Sequence, residues 1–175
     1  MMRQLSFAVT HDVSAPSEAV WDVIGDFGTE HLWTRTLSEC TRDTVEVRVG
    51  TTRRCSLPRP LMGRSEVRET LVEFDRGRAL AYELDGPAGP FASAGSRWTT
   101  SRVSEHTTAV TVAGSFRPRS RLVPLAVWPF AKPMLRRLTR RVLVELEAHL
   151  AEPSGSAACH SQRPFRARGR RSESR

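Results

Sequence analysis

Residues 135–152 read LRRLTRRVLVELEAHLAE, and the prediction of the fold starts from this stretch. Its apolar residues recur at intervals of three, four, four and four positions, which is the spacing of a single apolar face on an α-helix. Arginines and Glu147 occupy the other side. The pattern predicts a long amphipathic C-terminal helix that ends near Glu152, with its apolar face formed by Leu135, Leu138, Val142, Leu146 and Leu150.

The N-terminal part of the chain predicts one strand followed by two short helices. Residues 5–13 alternate between apolar and polar side chains, the pattern of a half-buried strand. Residues 14–16, SAP, combine a helix cap with a proline near the first helical position, and apolar residues then follow at helical spacing. This predicts a helix over 16–27, ended by Gly28, and one further helical turn within 29–33.

Six more strands are predicted before Pro118, because apolar and polar segments alternate with turn residues. Parallel neighbours would need a crossover of about a dozen residues, so the short links favour an antiparallel meander. The inner face of such a sheet must be covered, and only the C-terminal helix is long enough to cover it. The chain is therefore predicted to be an α+β protein with seven strands. The six that follow the first strand are 38–48, 51–57, 64–74, 78–85, 94–104 and 108–117.

Charge is unevenly distributed along the chain. The formal net charge is +8, and five of these charges fall in residues 153–175, where six arginines face only Glu173. This segment has almost no apolar periodicity, so burial of apolar surface would not offset the entropy lost when it becomes ordered. We predict a folded domain over 1–152 and a disordered basic tail over 153–175, solvated and without a specific nucleic-acid partner.

The sequence excludes several common classes of site. The longest apolar run, 122–130, is too short to span a bilayer. There is no GxxxxGK[ST] or GxGxxG loop for a nucleotide cofactor and no GxSxG turn for a serine nucleophile. The five histidines lack metal-ligand spacing. The odd number of cysteines (Cys40, Cys55 and Cys159), the absence of CxxC and the absence of a signal peptide predict a reducing cytoplasm.

Four segments together resemble the SRPBCC superfamily, also called START-like or birch-pollen-allergen-like, and within it the polyketide cyclase/dehydrase group. VSAPSEAVWDVIGDFG (13–28), followed by Trp33, resembles the first-helix segment of that family. The other matches are VGTTRRCSL (49–57), ETLVEFD (69–75) and AGSFRP (113–118).

This resemblance covers residues 5–150. It implies the helix-grip fold, in which a curved sheet wraps around the C-terminal helix. It also implies an apolar cavity between sheet and helix that holds a lipid or polyketide-like molecule and, in some members, catalyses cyclisation or dehydration. The fold alone leaves the function open, because one fold hosts many functions.

Three polar side chains fall on strand faces that are otherwise apolar: Arg53, Glu69 and Tyr82. Consecutive antiparallel strands would bring them side by side on the cavity wall. They are candidates for orienting a ligand carbonyl, or for acid catalysis of an enolisation or dehydration by the phenol or the carboxyl. A buried ion pair with a purely structural role is the competing interpretation.

Large aromatic residues supply the other candidate ligand contacts, since ligand pockets are mostly apolar. They are Trp21, Phe27 and Trp33 in the region of the two short helices, and Trp98 in a central strand. Core packing is the alternative role for the tryptophans.

The preferred function is thus binding of a small hydrophobic molecule, and a polyketide cyclase or dehydratase is the alternative. A further alternative assigns residues 119–137 to contact with a membrane surface, because Trp128 and Phe130 are bracketed there by cations. A buried connection on the sheet edge is the simpler interpretation of the same segment.

Overall fold

The computed structural model describes residues 4–61 and 63–152. This part of the chain contains seven strands, three α-helices and one 3₁₀ turn. In chain order they are β1 Leu5–Val13, α1 Ser17–Ile24, the 3₁₀ turn Glu30–Leu32, β2 Glu39–Arg42, β3 Thr52–Leu61, β4 Arg64–Asp75, β5 Ala79–Leu84, β6 Phe91–Ser104, β7 Thr107–Pro118, α2 Val123–Ala126 and α3 Trp128–Ala151.

The seven strands form one antiparallel sheet in the order β1-β7-β6-β5-β4-β3-β2. Strand β1 pairs with β7 along its whole length, from Leu5 opposite Phe116 to Val13 opposite Thr108. Helix α3 packs on the inner face of the sheet, where its residues Leu143 and Leu146 are completely buried. The predicted seven-stranded sheet around a long C-terminal helix is confirmed.

Two strand boundaries differ from the prediction. Strand β2 ends at Arg42 instead of residue 48, and Val45, which has a strand-forming side chain, is 92% exposed. Strand β3 continues beyond residue 57 through Pro58 and Pro60, which were expected to end it. The register between β3 and β4 shifts in this stretch, so the prolines lie where regular pairing is already interrupted.

The helices also differ in their limits. Helix α1 ends at Ile24 rather than at residue 27, and Gly25 follows as its C-cap. Helix α3 begins at Trp128, before the predicted stretch that starts at Leu135, so much of the 119–137 segment is helical. Pro129 fits the first turn of α3, where an N–H has no intrahelical partner, and Pro133 lies only one turn further on.

Cys40 and Cys55 form a disulfide between β2 and β3. They are directly opposite each other in the strand register, a proximity that cysteine spacing along the chain does not reveal. The cytoplasmic location stays a prediction, and this disulfide weighs against the reducing compartment on which it rested. None of the described helices is long and apolar enough to cross a membrane. The predicted basic tail, 153–175, lies outside the described residues.

Candidate ligand cavity

A cavity of about 220 Å³ lies between the inner face of the sheet and α3. Strands β1 and β3–β7 contribute to its wall, together with the loop that follows the 3₁₀ turn. Most of the wall is apolar. Helix α3 closes the cavity with four side chains, namely Leu135, Leu138, Thr139 and Val142.

One arginine organises the polar part of the cavity wall. Arg53 is buried; its Nε donates to Oε2 of Glu69 at 2.6 Å, and its Nη2 lies 2.6 Å from the same oxygen. Its Nη1 donates to Oε1 of Glu30. Arg53 and Glu69 are direct cross-strand partners in β3 and β4, so sheet register brings them together. Burial makes these charge-assisted bonds strong and makes any unpaired member costly.

Two neighbouring aromatic rings, with centroids 5.7 Å apart, contact the guanidinium. The Cζ atom of Arg53 lies 4.1 Å from the ring centroid of Phe27 and 4.6 Å from that of Tyr82. Guanidinium groups stack favourably on such rings, especially when they are shielded from water. Phe27 is completely buried and therefore positions Arg53.

Tyr82 lies in β5, opposite Leu71 of β4 and Ser96 of β6, and part of its surface faces the cavity. Burial raises the pKa of its phenol, and the negative charge of Glu69 raises it further, whereas Arg53 lowers it. The net shift of the pKa is upward, so the phenol is protonated at neutral pH. It is therefore a hydrogen-bond donor and a candidate proton donor inside the cavity.

Trp33 and Trp98 form an aromatic pair on the wall, with ring centroids 6.4 Å apart in an edge-to-face arrangement. Their indole N–H groups are buried, and neither has a hydrogen-bond partner within the described chain. Buried tryptophan N–H groups usually find a partner, so these two are unusual.

Five of the seven predicted ligand contacts line the cavity: Trp33, Arg53, Glu69, Tyr82 and Trp98. The expected cluster of the arginine, the glutamate and the tyrosine is present. Phe27 lies behind Arg53 rather than on the wall. Trp21 does not line the cavity either, because its ring packs against Phe74, with 5.8 Å between the centroids.

Glu30 is the residue that sequence reasoning missed. It begins the 3₁₀ turn, where no strand periodicity shows which way a side chain points. In the structure it lines the cavity, contacts Arg53 and accepts the backbone N–H of Gly28 at 2.9 Å. The sequence offered one sign of this role: Glu30 is an acidic residue between Trp21 and Trp33, which were both candidate ligand contacts.

Glu145 of α3 fixes the loop that carries part of the wall. Its Oε2 accepts the Thr34 hydroxyl at 2.6 Å and the Arg35 backbone N–H at 3.0 Å. Burial raises the pKa of this carboxyl, but the hydrogen bonds from Thr34 and Arg35 and the nearby Arg141 outweigh burial and hold the pKa below 4.5. The ionised form is thus favoured by folding.

We expect Glu145→Gln to lower the free energy of unfolding at pH 7 by at most about 1 kcal/mol. The folded pKa is depressed, so the contribution is complete above the unfolded pKa and disappears as pH falls through the folded one. Urea unfolding at pH 7 and pH 3 measures it, with the difference from the wild type shrinking at pH 3. A difference that grew in acid would contradict this assignment.

Several solved structures share this fold. A START superfamily protein from Mycobacterium smegmatis superposes with a TM-score of 0.67 and 14% identity, covering 83% of this chain and 96% of that one. A putative uncharacterized protein from Bacillus thuringiensis gives a TM-score of 0.65 at 18% identity, covering 83% and 98%. A protein from Nitrosospira multiformis gives 0.65 at 21% identity, covering 85% and 97%. At these identities the likeness concerns the fold alone.

The family model described as polyketide cyclase / dehydrase and lipid transport matches residues 4–151, which is most of the chain. No curated protein matches the sequence significantly. The matched range spans every strand and helix described above, including all the cavity-lining residues. The chain therefore belongs to the SRPBCC-type polyketide cyclase/dehydrase and lipid transport family.

Proposed function

We propose that this protein binds a small hydrophobic molecule in the cavity between the sheet and α3. The observation that carries the proposal is an apolar cavity of about 220 Å³ with a single cluster of charged groups on its wall. Ligand sites commonly combine a largely apolar surface with a few placed polar groups. The apolar wall supplies affinity, while Arg53, Glu69 and Tyr82 orient the ligand.

Native mass spectrometry of freshly purified protein, followed by denaturing extraction, tests this function. We expect a mass in excess of the chain that disappears on denaturation and yields a lipophilic molecule. If the protein is recovered without such a molecule and binds no lipophilic probe in solution, the proposed function is wrong.

Filling the cavity from the helix side should abolish binding. Thr139 lines the cavity from α3, so a Thr139→Trp side chain occupies the ligand's space without altering the sheet. We expect at least about a tenfold loss of affinity for a bound lipophile, equivalent to about 1.4 kcal/mol. Equilibrium dialysis against a fluorescent lipophile measures it. Val144→Trp is the matched control, because Val144 is exposed on the same helix.

A polyketide cyclase or dehydratase activity in the same cavity is the second candidate. The observation that favours it is the protonated phenol of Tyr82, whose pKa is raised by burial and by the negative charge of Glu69. Such a pair can donate and accept protons during an enolisation or dehydration. The test is turnover of a poly-β-keto substrate. Loss of turnover in Tyr82→Phe with binding retained supports this activity. Unchanged turnover in that variant excludes a catalytic role for the phenol.

A membrane-surface function of 119–137 is the third candidate. Leu122, Leu125, Phe130 and Met134 are at least half exposed there, on a segment that has cations and no acidic residue. Such a surface suits an anionic bilayer. The test is co-flotation with phosphatidylserine vesicles. Flotation that is lost in the double variant Leu125→Ser/Phe130→Ser supports membrane contact by this segment. Flotation that is unaffected by those changes excludes it.

A further inference from the structure

The charged groups on the cavity wall do not balance. Within the described chain, the formally charged residues that line the cavity are Glu30, Arg53 and Glu69. Two carboxylates thus face one guanidinium. The side-chain exposures are 12% for Glu30, 3% for Arg53 and 10% for Glu69, so water screens this surplus negative charge poorly.

The hydrogen bonds show which carboxylate oxygen is open to a ligand. Glu30 uses both oxygens: Oε1 accepts from Arg53 and Oε2 accepts the Gly28 N–H. Glu69 meets Arg53 through Oε2, which accepts from Nε and lies 2.6 Å from Nη2. Its other oxygen, Oε1, is therefore the acceptor that a ligand can use.

Arg53 is poorly placed to receive an anion. Phe27 and Tyr82 lie against it with their ring centroids 4.1 and 4.6 Å from Cζ, and the carboxylates of Glu30 and Glu69 bind along its edge. A carboxylate in the cavity would face two like charges and one opposite charge, so the net charge beside it would be negative. At an effective dielectric of about 20, a net unit charge within about 10 Å repels a carboxylate strongly enough to lower its affinity by about tenfold or more.

We propose that the cavity selects neutral lipophilic molecules that donate a hydrogen bond, such as alcohols and phenols, and rejects carboxylates. Glu69 is the acceptor for the ligand's hydroxyl group, and Glu30 and Glu69 together supply the charge that excludes acids. This inference rests on the proposed binding function and names the ligand class that the cavity takes.

Three probes of the same ring system test the selectivity: 2-naphthol, 2-naphthoate and naphthalene, each by equilibrium dialysis at neutral pH. We expect 2-naphthol to bind about tenfold or more tightly than 2-naphthoate. In Glu69→Gln, Arg53 and Glu30 form a neutral pair, so binding of 2-naphthoate should strengthen and the ratio should fall to about threefold or less. Glu83→Gln, the same change at an exposed position of β5, is the control and keeps the wild-type ratio.

The outcomes separate this inference from the function on which it rests. Equal binding of all three probes to the wild type, or an unchanged ratio in Glu69→Gln with a retained urea midpoint, overturns the charge selection and leaves ligand binding intact. Failure of all three probes to bind, naphthalene included, overturns both.

Discussion

Replacing Arg53 with leucine is expected to lower the free energy of unfolding by about 3–5 kcal/mol, because the change leaves two buried carboxylates without their counter-ion. Arg53 contacts both Glu30 and Glu69, and all three side chains are shielded from solvent. Folded domains are stable by only about 5–15 kcal/mol, so the loss is a large fraction of the total. Urea unfolding followed by tryptophan fluorescence measures it.

The neighbouring residue provides the control. Arg54 points to the opposite face, with a side chain that is 60% exposed and an ion pair to the similarly exposed Glu66. We expect Arg54→Leu to change stability by less than about 0.5 kcal/mol.

A compensating variant tests the reason for the loss. Arg53→Leu combined with Glu30→Gln and Glu69→Leu removes the unpaired charges, while the amide oxygen of the introduced glutamine can still accept the Gly28 N–H. Most of the lost stability should return, since buried ion pairs can often be replaced by apolar groups at little cost. A single Arg53→Leu variant as stable as the wild type would show that the two carboxylates do not need the guanidinium.

The second large effect is expected from Leu143→Ala in α3, at about 3–5 kcal/mol. Leu143 is completely buried in the main core, where truncation removes apolar contacts and creates a new void. Thermal or urea unfolding measures the loss. Val144→Ala is the matched control on the same helix, because Val144 is 49% exposed, and it should cost less than about 1 kcal/mol.

Leu138→Ala separates the core from the cavity. Leu138 lines the cavity and is half-buried, so its truncation enlarges existing space instead of creating a new void. We expect a smaller loss of stability than for Leu143→Ala, at about 1–2 kcal/mol. Equal losses for the two leucines would mean that the interior at Leu138 is as tightly packed as the core and that no cavity exists there.

Together these variants distinguish the two halves of α3. Leu143 and Leu146, towards its C-terminus, are completely buried in the core, whereas Leu135, Leu138, Thr139 and Val142 line the cavity. A single apolar face can therefore serve stability at one end and ligand binding at the other. The helix pattern alone placed Leu135, Leu138, Val142 and Leu146 on one face without separating these two roles.

The periodic features of the chain are legible in the sequence because they arise from local backbone geometry. Period-two alternation marks β1, and the spacing of three and four residues marks α3. Short links between strands dictate antiparallel neighbours, so the sheet order follows almost directly. The pairing of Arg53 with Glu69 was accessible in the same way, because strand alternation placed each on an apolar face and consecutive strands are neighbours.

Features that depend on contacts between distant segments were not accessible. Val45 has a strand-forming side chain, but the residues after Arg42 find no partner strand within the described sheet. The disulfide between Cys40 and Cys55 depends on register. Glu30 enters the cluster only because the chain after α1 turns back over Arg53.

The sequence thus established the fold class, the long covering helix and three members of the polar cluster, since periodicity and chain order carry that information. The three-dimensional packing decided that Phe27 supports Arg53 from behind, that Trp21 packs away from the cavity, and that a second carboxylate gives the wall its surplus negative charge. These outcomes depend on where loops place side chains relative to distant strands, and loop directions follow from the assembled core rather than from any local pattern.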